Sequence, residues 1–77
     1  MRKTNAPSPK FVICIEADED NDLEVRKIYP VLPDEKAAEV DWLRVIDDSG
    51  EDYLYPAGKF VEVSFAPEVE RAILQTA

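Results

Sequence analysis

Apolar residues occur in short runs separated by acidic or turn-forming segments, which is the pattern of short β-strands. The run KFVICIEA at 10–17 is rich in β-branched and aromatic residues and predicts a first strand buried on both faces. The acidic segment DEDND that follows predicts a solvated loop. VRKIYPVLP at 25–33 predicts a second strand, and Pro30 within it favours a sheet edge or a bulge.

The middle of the chain predicts a β-hairpin. In WLRVIDD, Leu43 and Val45 alternate with Trp42, Arg44 and Ile46; SGE then turns the chain, and DYLYP returns as a strand. FVEVSF alternates again and predicts the fifth strand. DEKAAEVD, before the hairpin, is too short for an independent helix and predicts a loop with one helical turn.

The end of the sequence predicts a short amphipathic helix within 66–76, packed against the rest of the domain. Pro67 suits the first helical position, and Glu68 and Glu70 suit the positive end of the helix dipole. Three apolar residues fall on one helical face: Val69, Ala72 and Ile73. The chain is therefore predicted to be mainly β, with a single domain at 10–77 preceded by a disordered basic arm at 1–9.

The order of residues over 11–63 resembles the Src-homology-3 (SH3) family. LEVRKIYPVL is similar to the segment that follows the long first loop in that family. Six residues occupy places that match the family pattern: Trp42, Gly50, Leu54, Pro56, Phe60 and Val61. The resemblance implies a small five-stranded SH3-like barrel with a short C-terminal α-helix. It also implies that DYLYPAGKF is the joint between the fourth and fifth strands, with Trp42 at the rim of a ligand groove.

The chain departs from the peptide-binding members of that family at the first strand. Those members carry Ala-Leu-Tyr-Asp-Tyr, whose tyrosines form half of the groove for proline-rich ligands, whereas this chain has VICIEAD. Binding of proline-rich peptides is therefore not implied. The segment RVIDDSGEDYLYPAGKF is also similar to a group of small bacterial proteins, which share a GEDYLYPA-type segment and whose functions are not established.

Composition excludes several classes of function. One cysteine and no histidine leave no intramolecular disulfide, no Cys/His zinc site and no histidine-based catalytic pair. Residues 11–77 carry 17 acidic residues against 6 basic ones, the total of 9 less Arg2, Lys3 and Lys10, which argues against nucleic acid as a partner. Without a secretory signal or an apolar run of about 18 residues, the expected location is the cytoplasm, with no membrane partner.

Three candidate chemical sites are weak. The acidic loop has alternate aspartates like a calcium loop, but Leu23 stands where glycine is needed and Tyr29 where a glutamate is needed. The turn DDSGED, from Asp47 to Asp52, offers paired carboxylates, but an exposed turn lacks the burial that would tune them for catalysis. Cys14 lies between apolar residues and reads as an inert buried thiol. We therefore expect no enzyme, no catalytic or metal site and no cofactor, and an enzyme that uses the Asp47–Asp52 cluster is the least favoured of the hypotheses.

The aromatic residues of the hairpin are the candidate binding site, because tyrosine and tryptophan combine a large apolar face with a polar edge. The candidate residues are Trp42, Tyr53, Tyr55 and Pro56. The alternative is that Trp42 and Tyr55 fill the core of a small domain. The sequence thus predicts a non-catalytic module that binds a protein or peptide. The second hypothesis is a structural or regulatory subunit, monomeric or weakly dimeric, that self-associates through an edge strand or its terminal helix.

Overall fold

The computed structural model describes residues 10–75, which are mainly β. In chain order the elements are β1 (Phe11–Cys14), β2 (Ile28–Leu32), α1 (Glu35–Glu39), β3 (Trp42–Ile46), β4 (Asp52–Pro56), a 3₁₀ helix (Ala57–Lys59), β5 (Phe60–Val63) and α2 (Pro67–Gln75). The predicted arm at 1–9 and the last residues of the predicted domain, 76–77, lie outside this range. Within it, none of the helices has the length and apolarity needed to cross a membrane.

The strands form one antiparallel sheet in the order β4-β3-β2-β1-β5. The five predicted strands and the terminal helix are therefore confirmed. Within residues 10–75 the two outer strands, β4 and β5, do not pair with each other, so the sheet is open and the predicted closed barrel is not confirmed. Each outer strand consequently leaves one edge of its backbone without a neighbouring strand.

Pro30 lies in a central strand, so the predicted edge position is wrong. Residues 28–30 of β2 pair with β1, whereas Val31 and Leu32 pair with β3. Val31 donates its N–H to the carbonyl oxygen of Lys10, on the β1 side, so the nitrogen of Pro30 faces the β3 side. The recorded β2–β3 pairs begin only after Pro30, so this proline, which has no N–H to donate, stands at the end of that ladder rather than within it.

β1 is shorter than predicted but is buried on both faces. Val12 and Cys14 point into the main core, whereas Phe11 is buried on the opposite face, where its ring meets that of Phe65 edge to face at 5.7 Å between centroids. The strand ends at Cys14 rather than at residue 17, and the next residue, Ile15, is exposed.

The core draws side chains from every strand and from the loop after β1. Its buried members are Val12, Cys14, Leu23, Tyr29, Val31, Val45, Tyr55 and Phe60. Leu23 closes one side of this cluster from the acidic loop. The rings of Tyr55 and Phe60 meet edge to face with centroids 6.1 Å apart, which joins the hairpin to β5.

The two α-helices differ in how they join the sheet. Asp34 caps α1 by accepting the N–H of Ala37 at 3.0 Å, and Ala37 is buried, so α1 is fixed beside β3. α2 begins at Pro67 as predicted, but none of its described residues is buried. A 3.6 Å ion pair between Lys10 and Glu70 links α2 to the start of β1. The predicted packing of this helix against the domain is therefore only slight.

Candidate functional site

Trp42 and Pro56 are cross-strand neighbours on the side of the hairpin that faces away from the core. They are directly opposite each other in the β3–β4 register. Trp42 retains 40% of its surface exposed, and Pro56 is half-buried. Of the alternatives left open by the sequence, Trp42 is therefore a surface residue rather than part of the core.

A second row of residues continues this surface across three strands. Arg44 on β3 lies between Leu32 on β2 and Leu54 on β4, so the three side chains share one face. Both leucines are exposed, Leu54 to 43%. We call this surface the outer face, and its members are Leu32, Trp42, Arg44, Leu54 and Pro56.

Two carboxylates hold the guanidinium of Arg44 within the outer face. Its Nε donates to Oδ2 of Asp34 at 2.8 Å and its Nη1 donates to Oδ2 of Asp52 at 2.9 Å. These hydrogen bonds raise the pKa of Arg44, and the N–H of Ala37 together with Arg44 lowers the pKa of Asp34. The carboxylates of Asp34 and Asp52 thus neutralise the positive charge of Arg44, whose planar guanidinium belongs to a surface that also contains Leu32 and Leu54.

The two tyrosines of β4 lie in different environments, although they are only two positions apart. Tyr55 is 8% exposed and donates its hydroxyl to Oδ2 of Asp47 at 2.6 Å. Tyr53 is 49% exposed, and its hydroxyl donates to Oε1 of Glu51 at 3.0 Å. Among the four predicted site residues, Tyr55 therefore belongs to the core, whereas Trp42 and Tyr53 are exposed and Pro56 is partly so.

Asp47 is buried in the hairpin turn, at 5% exposure, so the prediction of an exposed turn is wrong for this residue. Besides Tyr55, both the N–H and the hydroxyl of Ser49 donate to its Oδ1, and Gly50 completes the turn with a φ of 86°. Burial alone would raise the pKa of Asp47, but these hydrogen bonds outweigh it and the pKa is lowered. A carboxylate held ionised by several donors is suited to fixing a turn rather than to accepting protons.

Asp48 connects the hairpin turn to the loop between β1 and β2. Its Oδ2 accepts the hydroxyl of Tyr29 at 3.0 Å, and its Oδ1 accepts Nζ of Lys27. Its N–H donates to the carbonyl oxygen of Asp22 at 2.8 Å. Burial and the contact with Asp48 raise the pKa of Tyr29. Asp47 and Asp48 therefore act as structural acceptors for the two buried tyrosines, Tyr55 and Tyr29.

Lys59 holds the acidic loop through ion pairs with two of its neighbouring carboxylates. Nζ of Lys59 lies 3.0 Å from Oδ2 of Asp18 and 3.7 Å from Oε2 of Glu16, which ties the loop to the 3₁₀ helix. Within residues 10–75, the acidic and cysteine side chains form no group of three or more that could hold a metal ion. Cys14 is fully buried, and its Sγ donates to the carbonyl oxygen of Glu16.

The sequence did not identify three members of the outer face: Leu32, Arg44 and Leu54. Strand alternation could have revealed Leu54, because a core position at Tyr55 places both of its neighbours on the opposite side. Alternation along β3 likewise places Arg44 on the same side as Trp42. Leu32 joins the surface only through pairing with β3, which the sequence does not specify. A scan against protein-family models and searches of curated proteins and of solved structures found no match to this chain.

Proposed function

We propose that this chain is a non-catalytic binding module that holds a protein or peptide partner on its outer face. The observation that carries the proposal is the exposure of Trp42 beside Leu54, while the core is filled by other side chains. Tryptophan is among the residues that contribute most to protein interfaces, since its large ring gains much from removal of water. The pairing of β3 with β4 and the ion pairs that hold Arg44 further support a preformed contact surface.

The proposed architecture is an SH3-like domain. It is supported by the strand order, by the short 3₁₀ helix between β4 and β5, and by Trp42 as the first residue of β3. The absence of the tyrosine motif from β1 favours a ligand other than a proline-rich peptide. Nucleic acid is not the proposed partner, because 17 acidic residues outnumber 9 basic ones in the chain.

Affinity capture from the source organism followed by mass spectrometry tests the proposal. The wild type is compared with Trp42→Ser and with Val61→Ser, a control that removes an exposed apolar side chain from β5 at the other edge of the sheet. We expect at least one protein to be captured by the wild type and the control but lost with Trp42→Ser. With the captured protein purified, Trp42 fluorescence should shift to shorter wavelength on binding. Capture that is identical for all three would contradict the proposal.

The second candidate function is self-association through the terminal helix, which would make the chain a structural or regulatory subunit. It is favoured by α2, where Val69 and Leu74 are both exposed on a helix without a buried residue. Sedimentation equilibrium over a range of concentrations distinguishes the two functions. A dimer that is abolished by Leu74→Ser and unaffected by Trp42→Ser would favour this candidate over the binding module.

A further inference from the structure

Among the described residues, 10–75, no strand pairs with the backbone groups along the outward edge of β4. At the two ends of the β3–β4 ladder, Asp47 donates to the carbonyl oxygen of Glu51, and Ala57 donates to that of Asp41. Antiparallel pairs alternate between residues that exchange hydrogen bonds and residues that do not. Residues 51, 53, 55 and 57 therefore face β3, whereas Asp52, Leu54 and Pro56 direct their backbone groups away from the sheet.

This edge presents a short and defined set of donors and acceptors. Asp52 and Leu54 each offer an N–H and a carbonyl oxygen, and Pro56 offers a carbonyl oxygen alone. The side chains of the same three residues lie on the side of the outer face, where Leu54 is exposed. An extended segment added here would form backbone hydrogen bonds and also bury Leu54, which is the usual combination in strand addition.

Charge decides between a second copy of the chain and a different partner. Residues 34–56, which include α1 and the hairpin, contain 8 acidic residues and 2 basic ones, Lys36 and Arg44. Arg44 has one positive charge and is paired with two carboxylates, those of Asp34 and Asp52, so this group carries a net negative charge beside the edge. Two copies would bring like charges together, whereas a basic segment would be attracted.

We infer that the edge of β4 receives an extended basic segment of the partner protein as an additional strand. The side-chain period of two requires an apolar residue opposite Leu54 and a lysine or arginine two positions away, opposite Asp52. The residue between these two positions points to the other face of the sheet, beside the exposed ring of Tyr53. This inference rests on the proposed function and specifies the kind of partner that the same surface binds.

The first test is a titration of the ¹⁵N-labelled full chain with the capped peptide Lys-Thr-Val-Thr-Lys-Thr-Val-Thr-Lys at millimolar concentration. We expect saturable shifts at the backbone amides of Asp52 and Leu54, together with slower hydrogen exchange at both. A peptide with glutamate in place of lysine should give no such shifts. The absence of shifts with the lysine peptide, or shifts centred on Glu62 at the β5 edge, would overturn the inference.

The second test removes one edge donor from the protein. Leu54→Pro and Leu54→Ala both lose the apolar side chain, but only the proline variant loses the outward N–H, and neither breaks a β3–β4 hydrogen bond. Peptide binding at least several-fold weaker in the proline variant than in the alanine variant supports strand addition, and equal binding overturns it. If the proline variant is unfolded, the same comparison is made with two peptides, one with proline in place of the threonine at its fourth position and one with proline in place of the valine at its third position.

These results separate the inference from the proposed function. Capture that depends on Trp42, without peptide shifts at Asp52 and Leu54, would leave the binding module intact and reject strand addition. Capture that does not depend on Trp42 would reject the proposed function and the inference with it. Peptide shifts at the edge combined with Trp42-dependent capture would support both.

Discussion

Removing the hydroxyl group of Tyr55 should destabilise the protein, whereas removing that of Tyr53 should not. Both tyrosines lie on β4, and each donates a hydrogen bond to a carboxylate, Tyr55 to Asp47 at 2.6 Å and Tyr53 to Glu51 at 3.0 Å. The substitution by phenylalanine is the same in each case. The difference lies in burial, since Tyr55 is 8% exposed and Tyr53 is 49% exposed.

The expected loss for Tyr55→Phe follows from the kind of hydrogen bond that is removed. A buried hydrogen bond to a charged group contributes about 1.5–3 kcal/mol, and its loss leaves Asp47 with only the donors of its own turn. For a chain of 77 residues the total free energy of unfolding is expected to be about 4–12 kcal/mol, so this loss is a large fraction. In Tyr53→Phe, water replaces the lost partner, and no resolvable change is expected.

Urea denaturation followed by circular dichroism measures this difference. With a slope near 1 kcal/mol per molar urea, the midpoint of Tyr55→Phe should fall by about 1.5–3 M, and that of Tyr53→Phe should match the wild type. The pKa of Asp47, followed by carbon NMR, should rise in Tyr55→Phe, because burial still opposes ionisation while one hydrogen bond is gone. Equal midpoints for both variants, with an unchanged pKa of Asp47, would refute the assignment of Tyr55 to a buried, charge-assisted contact.

Three further predictions concern stability and are checked by denaturation midpoints. Asp48→Ala should lower the free energy of unfolding by about 1 kcal/mol, because the hydroxyl of the buried Tyr29 loses its acceptor. Asp52→Ala removes only an exposed ion pair and should leave the denaturation midpoint unchanged. Phe60→Ala should cost about 3–5 kcal/mol by opening a cavity in the core. Because folding raises the pKa of Tyr29 and of Tyr55, their contribution to the free energy of unfolding is complete below about pH 10. Above that pH it declines by about 1.4 kcal/mol per pH unit for each tyrosine, and the decline should therefore be less steep in Tyr55→Phe.

Much of the secondary structure followed from local patterns. The alternation around Leu43 and Val45, the turn at Gly50 and the helix start at Pro67 were each predicted from neighbouring residues, and each is present. The errors occurred where a neighbour distant in sequence decides the outcome. Pro30 was expected at an edge or a bulge because proline lacks an N–H, but it lies in a central strand, with its nitrogen at the end of the β2–β3 ladder.

The candidate site was predicted only in part, for a similar reason. The sequence identified the aromatic residues of the hairpin but did not determine which of them are buried, because Trp42 and Tyr55 both suit a core or a surface. Nor did it indicate that Asp47 is buried, since aspartate, serine and glycine are common in exposed turns as well.

The sequence by itself determined the strands, the turns and the acidic charge, because these depend on side-chain periodicity, backbone preferences and composition. Strand pairing in the folded chain decided the rest. It placed Leu32, Arg44 and Leu54 in one row, left the outward edge of β4 without a partner strand, and brought Asp48 to the hydroxyl of Tyr29. These features arise from contacts between residues far apart along the chain, and such contacts exist only once the sheet has formed.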